Sequence, residues 1–395
     1  MKVVWICQFT NLDVQSRLPI RKPVIEFGQW VPNMIREIEN CSGIELHVIS
    51  IHSHLKKHVS YTKNGVHYYF IPYGMPLIHR PWHHLFPFDT FTNFYTIRKR
   101  VRKVVEAVSP DLINLIGAEI PHYSSSILDY IGKYPVLIAI QGFVGEIRDL
   151  LKPTPYNKKR VVIEDRILRD FHYYAGEKDS STYIMNFNPK HKFFEMLFPI
   201  NEEMIKQTSP RGESYDCVFF GRLDRFEGIE EYLKVVSEMK KTLPALKACV
   251  VGSGDISSLK ELAKQLGCLE NLTFIGFRPS QKELFEIVMS AKLYLTTPFF
   301  ERISLRIREC MFMRIPIVAY ATGGIPNINK TEENVALVPT GDFQGMAKKA
   351  VYLLKNNEAR LALAERAYHY AQKEYSGKAN LERLINAYDE ILHEI

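Results

Sequence analysis

Residues 293–326 read LYLTTPFFERISLRIRECMFMRIPIVAYATGGIP, and the order of their apolar and helical runs decides the fold. Leu293–Thr297 and Ile317–Tyr320 have the length and residue types of buried strands, while Ser304–Met313 has helical character and opens on Ser304, a residue type that caps helices. Two strands joined through a helix predict parallel neighbours in one sheet. The loop before the helix holds Glu301, and Glu309 follows eight positions later. A helix starting near Ser304 leaves the backbone N–H groups of Ser304, Leu305 and Arg306 without intrahelical acceptors, the local requirement for holding a phosphate. Glu309, about one turn in, is placed to accept hydrogen bonds from a ribose diol.

The same alternation extends in both directions. Upstream in this half come Asp216–Phe220, Ile229–Lys240, Leu246–Val251, Ser257–Leu266, Leu272–Ile275 and Gln281–Ser290; the first half repeats it with Val3–Cys7, Val31–Glu39, Glu45–Ile51, Asp111–Leu115 and Pro135–Ile140. The pattern breaks at Asn201–Ser214, a polar stretch with Pro210 and Gly212. The reading is an α/β protein of two doubly wound, Rossmann-like domains, residues 1–205 and 206–375, facing a central cleft. Residues 376–395 form a last helix, with Leu381, Leu384, Ile385, Tyr388, Ile391 and Leu392 on the face expected to pack toward the first domain. A length of 395 residues suits two domains, and 46% hydrophobic with 24% charged residues excludes disorder, collagen and coiled coil.

Four further motifs stand at predicted strand ends in fixed order: FFGRLDRFEG (219–228), VVGSG (250–254), FIGF (274–277) and YATGGIP (320–326). With E-x7-E from Glu301 to Glu309, the second half resembles the nucleotide-sugar domain of the family 4 retaining glycosyltransferases of GT-B architecture. The resemblance covers about residues 216–375, and the first half more loosely. It implies a UDP- or GDP-hexose donor on the second domain and an acceptor held by the first. By motif, it places Gly221 and Arg222 at the diphosphate, Glu301 at the sugar hydroxyls as a catalytic residue, Ser304 and Leu305 at the phosphate through backbone N–H, Glu309 at the ribose, and Gly276 to Arg278 at the base. The chain contains no DxD sequence, so neither a metal nor any other cofactor is expected beyond the nucleotide-sugar co-substrate.

Glu227 stands where the family usually has lysine before Gly228, and a carboxylate there repels a diphosphate. Arg225, Arg302 and Arg306 are the candidates to compensate, the last two because arginine at a helix N-terminus opposes the macrodipole by about 0.3–1 kcal/mol unless an anion is present. In the first domain Gln141 replaces the family's usual histidine and lines the cleft; it hydrogen-bonds but is no base near neutral pH. Glu119 and His122 follow a strand end and are candidates to orient or deprotonate the acceptor hydroxyl. The absence of G-x-S-x-G, a Walker lysine or a complete dinucleotide fingerprint argues against hydrolase, P-loop and nicotinamide chemistry.

The sequence therefore reads as a retaining, metal-independent hexosyltransferase acting on a carbohydrate or lipid-linked acceptor, in surface-polysaccharide assembly. A catalytically silent glycosyltransferase-like subunit, and a GT-B nucleotide-sugar epimerase or phosphorylase, remain the alternatives. The formal charge of +7 lies wholly in residues 1–200, which carry 25 Lys and Arg against 18 Asp and Glu. Trp82, Phe86 and Phe88 beside Arg98, Lys99, Arg100, Arg102 and Lys103 suit an anionic membrane surface at about 1 kcal/mol per cation. Nucleic acid is not expected as a partner, since no recognition motif is present. Six scattered cysteines and the lack of a long apolar run point to a cytoplasmic protein, peripheral at the inner face of the membrane.

Overall fold

The structure is a computed structural model. It describes residues 1–395 except 11, 19–27, 29, 40, 53–54, 56, 74–87, 213, 300, 302–303 and 395. The chain divides into two compact units, Met1–Pro199 with Gly377–Ile395, and Ile200–Ser376. The first break falls earlier than residue 205. Asn201 opens the helix Glu202–Lys206 by accepting from Met204 N at 3.1 Å, and Ile205 of that helix is buried within the second unit.

The first unit is built on eight strands: β1 (Lys2–Cys7), β2 (Glu45–His52), β3 (Val59–Lys63), β4 (Val66–Pro72), β5 (Leu112–Ile116), β6 (Val136–Ala139), β7 (Tyr173–Gly176) and β8 (Lys192–Glu195), in the order β3-β4-β2-β1-β5-β6-β7-β8. All pairs are parallel except edge strand β3, which runs antiparallel to β4 through the turn Asn64-Gly65. Helices cover both faces, so β1 is apolar from Val3 to Cys7 and sends alternate residues to opposite cores. Val4 and Ile6 join the core under the helix Tyr95–Val108; Val3, Trp5 and Cys7 join that under Trp30–Glu39 and Gly377–His393.

The second unit carries β9 (Cys217–Leu223), β10 (Ala248–Gly254), β11 (Leu272–Phe274), β12 (Tyr294–Thr296), β13 (Ile317–Tyr320) and β14 (Ala336–Val338), ordered β11-β10-β9-β12-β13-β14 and parallel throughout. Adjacent β9 and β12 leave to opposite sides of the sheet order. Their outgoing loops therefore flank a switch point, where open α/β sheets hold ligands. All six cysteines are free, five of them buried. Among the described residues no helix is long and apolar enough to cross a membrane.

The helix Gly377–His393 is fastened to the first sheet by one buried hydroxyl. Tyr388 OH accepts from Trp5 Nε1 at 2.9 Å and from Asn114 Nδ2 at 2.8 Å. Tyr388→Phe strands two buried donors and should cost roughly 2–4 kcal/mol. Trp5, Trp30 and Trp82 are the only tryptophans and all lie in this unit, so a urea titration followed by intrinsic fluorescence reads the change. An unmoved midpoint would contradict it.

Candidate active site

The loops that leave β9 and β12 touch backbone to backbone. Gly228 has φ +77°, and a β-carbon on it would stand 1.8 Å from Thr297 O; Thr297 Oγ1 donates back to Gly228 O at 2.7 Å. Only glycine satisfies both the left-handed backbone and this approach. The contact sets the segment Arg222–Glu227 beside the segment that carries Glu301.

Between them lies Arg306, in the first turn of the helix Leu305–Phe312. Its guanidinium pairs with Glu227 and, at 3.0 Å, with Glu301 Oε2. It also lies over Gly221, where a β-carbon would come within 1.9 Å of Nη1. Burial works against the charge, but Tyr294, Glu227 and Glu301 outweigh it and hold the proton more firmly than usual. Glu227 Oε1 accepts in turn from Arg222 Nε at 3.2 Å and Nη2 at 3.1 Å. The carboxylate at the lysine position is thus neutralised on both oxygens. Compensation takes the form of an ion pair, and Arg306 cancels Glu227 instead of standing free toward solvent.

The remaining second-unit candidates gather around this network. Ser304 caps the helix, its Oγ accepting from Ile307 N at 3.4 Å, and Leu305 begins the turn whose N–H groups have no intrahelical acceptor. Arg222 and Arg225 are exposed. Gly276 accepts from Gly252 N at 3.2 Å, and Arg278 folds its guanidinium onto Phe277 O. Arg302 lies outside the described residues.

Glu309 is buried inside the same helix and accepts from Gln281 Nε2 at 3.0 Å. Burial pushes its carboxyl up to about 7, against that hydrogen bond and the charges of Arg308 and Arg306. Gln281 was not foreseen. The capping pattern Ser280-x-x-Glu283 signals where its helix begins, and Ser280 Oγ does accept from Glu283 N, but nothing local pairs it with Glu309.

In the first unit, Glu119, His122 and Gln141 stand on segments that follow the carboxyl ends of β5 and β6. Glu119 Oε2 is buried with no hydrogen-bond partner among the described residues, and burial raises the carboxyl to about 7 despite backbone hydrogen bonds and nearby Arg160. Such a group is half-ionised near neutral pH, the condition for exchanging a proton. His122 stacks on Tyr73 at 4.7 Å and its Nε2 meets Gln8 Oε1 at 2.9 Å. Glu164, unremarked in the sequence, accepts from Val144 N and Gly145 N at 2.8 and 2.7 Å and so fixes the loop after Gln141. The one group of potential metal ligands among the described residues is Glu45, His47 and His67, brought together by the pairing of β2 with β4.

The basic run on the helix Tyr95–Val108 does not form one face. Arg98 and Arg102 both pair with the nearly buried Asp129, while Arg100 donates to Pro72 O on the opposite side. Lys99 and Lys103 lie on that helix as well. Trp82 and Phe86 fall outside the described residues, as does the side chain of Phe88.

Two parallel Rossmann-like sheets, the second with an Arg–carboxylate cluster at its switch point, define the GT-B class of sugar-transferring folds. Residues 200–370 match the family described as "Glycosyl transferases group 1", and this match supports a family 4 type of GT-B glycosyltransferase. It is 28% identical over 181 residues to a D-inositol 3-phosphate glycosyltransferase of Corynebacterium jeikeium, covering 44% of this chain and 43% of that one. It is 27% identical over 180 residues to the alpha-D-kanosaminyltransferase of Streptomyces kanamyceticus, covering 44% and 45%. These matches span less than half the length of the curated relatives. By fold, the chain is similar to the sucrose-phosphate synthase of Thermosynechococcus elongatus (TM-score 0.76, 14% identity, all of both chains). It is also similar to HepE of Anabaena, solved in complex with UDP (TM-score 0.64, 14% identity, 99% of this chain and 100% of that one).

The raised carboxyl of Glu309 fixes a pH signature. Its contribution to stability is complete below the ordinary carboxyl value near 4.5 and is lost as pH rises through about 7. Glu309→Gln keeps an acceptor for Gln281 without the burial cost of a charge. Relative to wild type, it should gain on the order of 1–3 kcal/mol between pH 5 and pH 8. Chemical denaturation of both proteins at the two pH values checks this, and a difference that does not change with pH overturns it.

Proposed function

We propose that the protein transfers a hexosyl group from a nucleotide-sugar donor, UDP- or GDP-hexose, to a carbohydrate or lipid-linked acceptor, with retention of anomeric configuration and without a metal. The observation that carries this reading is the Arg222–Glu227–Arg306–Glu301 network. It presents the exposed Arg222, which also holds Glu227, and the first-turn N–H groups of Leu305–Phe312 to a diphosphate, while Arg306 offsets the Glu227 and Glu301 carboxylates that would repel it.

In this reading the C1–O bond to the diphosphate breaks as the acceptor oxygen bonds to C1, and the acceptor proton passes to the departing diphosphate. Arg222, Arg225 and the helix terminus stabilise the charge that develops there. Arg306 orients Glu301, whose carboxylate accepts from the sugar hydroxyls. Glu309, steadied by Gln281, receives the ribose diol, and the backbone at Gly276–Arg278 meets the base. Glu119 and His122 serve the acceptor, and Gln141 donates to a hydroxyl. The neighbour solved with UDP supports a uridine nucleotide, and the relatives named as glycosyltransferases support a sugar acceptor or polyol. A role in surface-polysaccharide assembly, with reversible attachment to the inner membrane face through the basic first unit, completes the proposal.

Glu301→Ala should lower turnover by about 10²–10³, the effect of losing one transition-state contact, while calorimetry with UDP shows binding preserved. Undiminished turnover would remove Glu301 from the site. Wild-type protein that binds neither UDP nor GDP by calorimetry would establish the silent-subunit reading instead.

A further inference from the structure

The first unit holds a second concave site, on the face of β2 and β4 under the helix Tyr95–Val108, lined by none of Glu119, His122 and Gln141. A pocket of about 860 Å³ opens between the starts of β1 and β2, strand β4 and the helix Tyr95–Val108. Its walls carry Lys2, Lys57, Arg100 and Lys103, with the imidazoles of His47 and His58. The volume lies within the about 300–1,000 Å³ of small-molecule sites.

The charges in it are unbalanced. Lys2 leans on Glu45 at 3.9 Å and donates to Val108 O at 3.3 Å, and Glu45 is the pocket's one carboxylate. Arg100 is turned to the carbonyl of Pro72. Lys57 and Lys103 have no ion pair or hydrogen bond among the described residues, although the chain places them on one cavity. Two like charges converging without a counter-ion repel each other, and a bound anion removes that cost. His58 is held below the usual imidazole value by burial and the charge of Lys103.

A divalent cation does not suit the same corner. The rings of His47 and His67 are stacked 4.5 Å apart at 15°, so their in-plane lone pairs do not converge on one ion, and the four surrounding cations oppose a fifth. Nor is the pocket part of a flat basic face, because Arg98 and Arg102 of the same helix are spent on Asp129. We propose that this pocket binds a phosphate-bearing ligand, with Lys57 and Lys103 gripping the phosphate as point charges and His58 as a hydrogen-bonding partner, His47 being held already by Tyr69 and Glu45. The phosphate belongs either to a soluble phosphorylated sugar or polyol or to a phospholipid headgroup. This site lies in the other unit from the nucleotide-sugar reading, and neither depends on the other.

The test uses the full chain labelled with ¹³C-histidine, the His58 resonance being assigned from His58→Gln. Glycerol 3-phosphate is titrated in one arm, and phosphatidylglycerol or phosphatidylcholine vesicles are added in the other. The expected result is a saturable shift of the His58 resonance with an upward move of its imidazole pKa, since an adjacent anion favours imidazolium. Lys57→Ala/Lys103→Ala should weaken the response at least tenfold, and Lys57→Arg/Lys103→Arg should keep it, with circular dichroism showing both folded. A response to glycerol 3-phosphate assigns a soluble ligand; a response to phosphatidylglycerol vesicles alone assigns the headgroup. No response in either arm, or one that survives Lys57→Ala/Lys103→Ala, overturns the proposal.

Discussion

A guanidinium taken out of water must find carboxylates, and that demand organises the second unit. Arg306 is largely buried and engages Glu227 from the loop after β9 and Glu301 from the loop after β12. The arrangement is a closed set in which each charge depends on the others. Removing one partner of such a buried pair typically costs 3–5 kcal/mol, because the survivor stays buried and uncompensated. The Gly228–Thr297 contact makes the set geometrically possible by bringing the two loops to within one backbone diameter. A change at Glu227 is thus felt at Glu301, although 74 positions separate them in sequence.

Parallel sheets buried on both faces leave side-chain chemistry only at strand ends. Both units follow that rule, and the candidate residues collect where strands stop. The first unit adds a second place for chemistry, the cationic pocket between β2, β4 and the helix Tyr95–Val108.

Much of this was legible in the sequence because the signals are local. The strand–loop–helix run from Leu293 places β12, the helix Leu305–Phe312 and β13 within about one residue of their observed bounds, and the apolar face of Gly377–His393 follows its spacing of three and four. The hairpin β3–β4 carries a strong short-range turn signal, Asn64-Gly65 between β-branched and aromatic residues, but its antiparallel pairing falls outside the parallel alternation of the rest of the sheet. What no local pattern could supply were pairings across the fold. Gln281 with Glu309, Arg98 and Arg102 with Asp129, and Glu45 with His67 each join residues whose proximity is decided by sheet order and helix packing. Arg306 was named among possible compensators for Glu227, but only its lodging between two carboxylates distinguishes cancelling a charge from presenting one.

The first unit is discontinuous in sequence: its sheet begins at Lys2, yet the hydroxyl that joins Trp5 to Asn114 belongs to Tyr388. In synthesis the second unit, a single uninterrupted stretch, is made in full before the last covering helix of the first. Until residues 377–393 emerge, the surface formed by Val3, Trp5 and Cys7 has no lid from that helix, and a nascent chain must keep it from other apolar partners. Closure of the amino-terminal half therefore waits on a segment that follows the whole second unit in sequence.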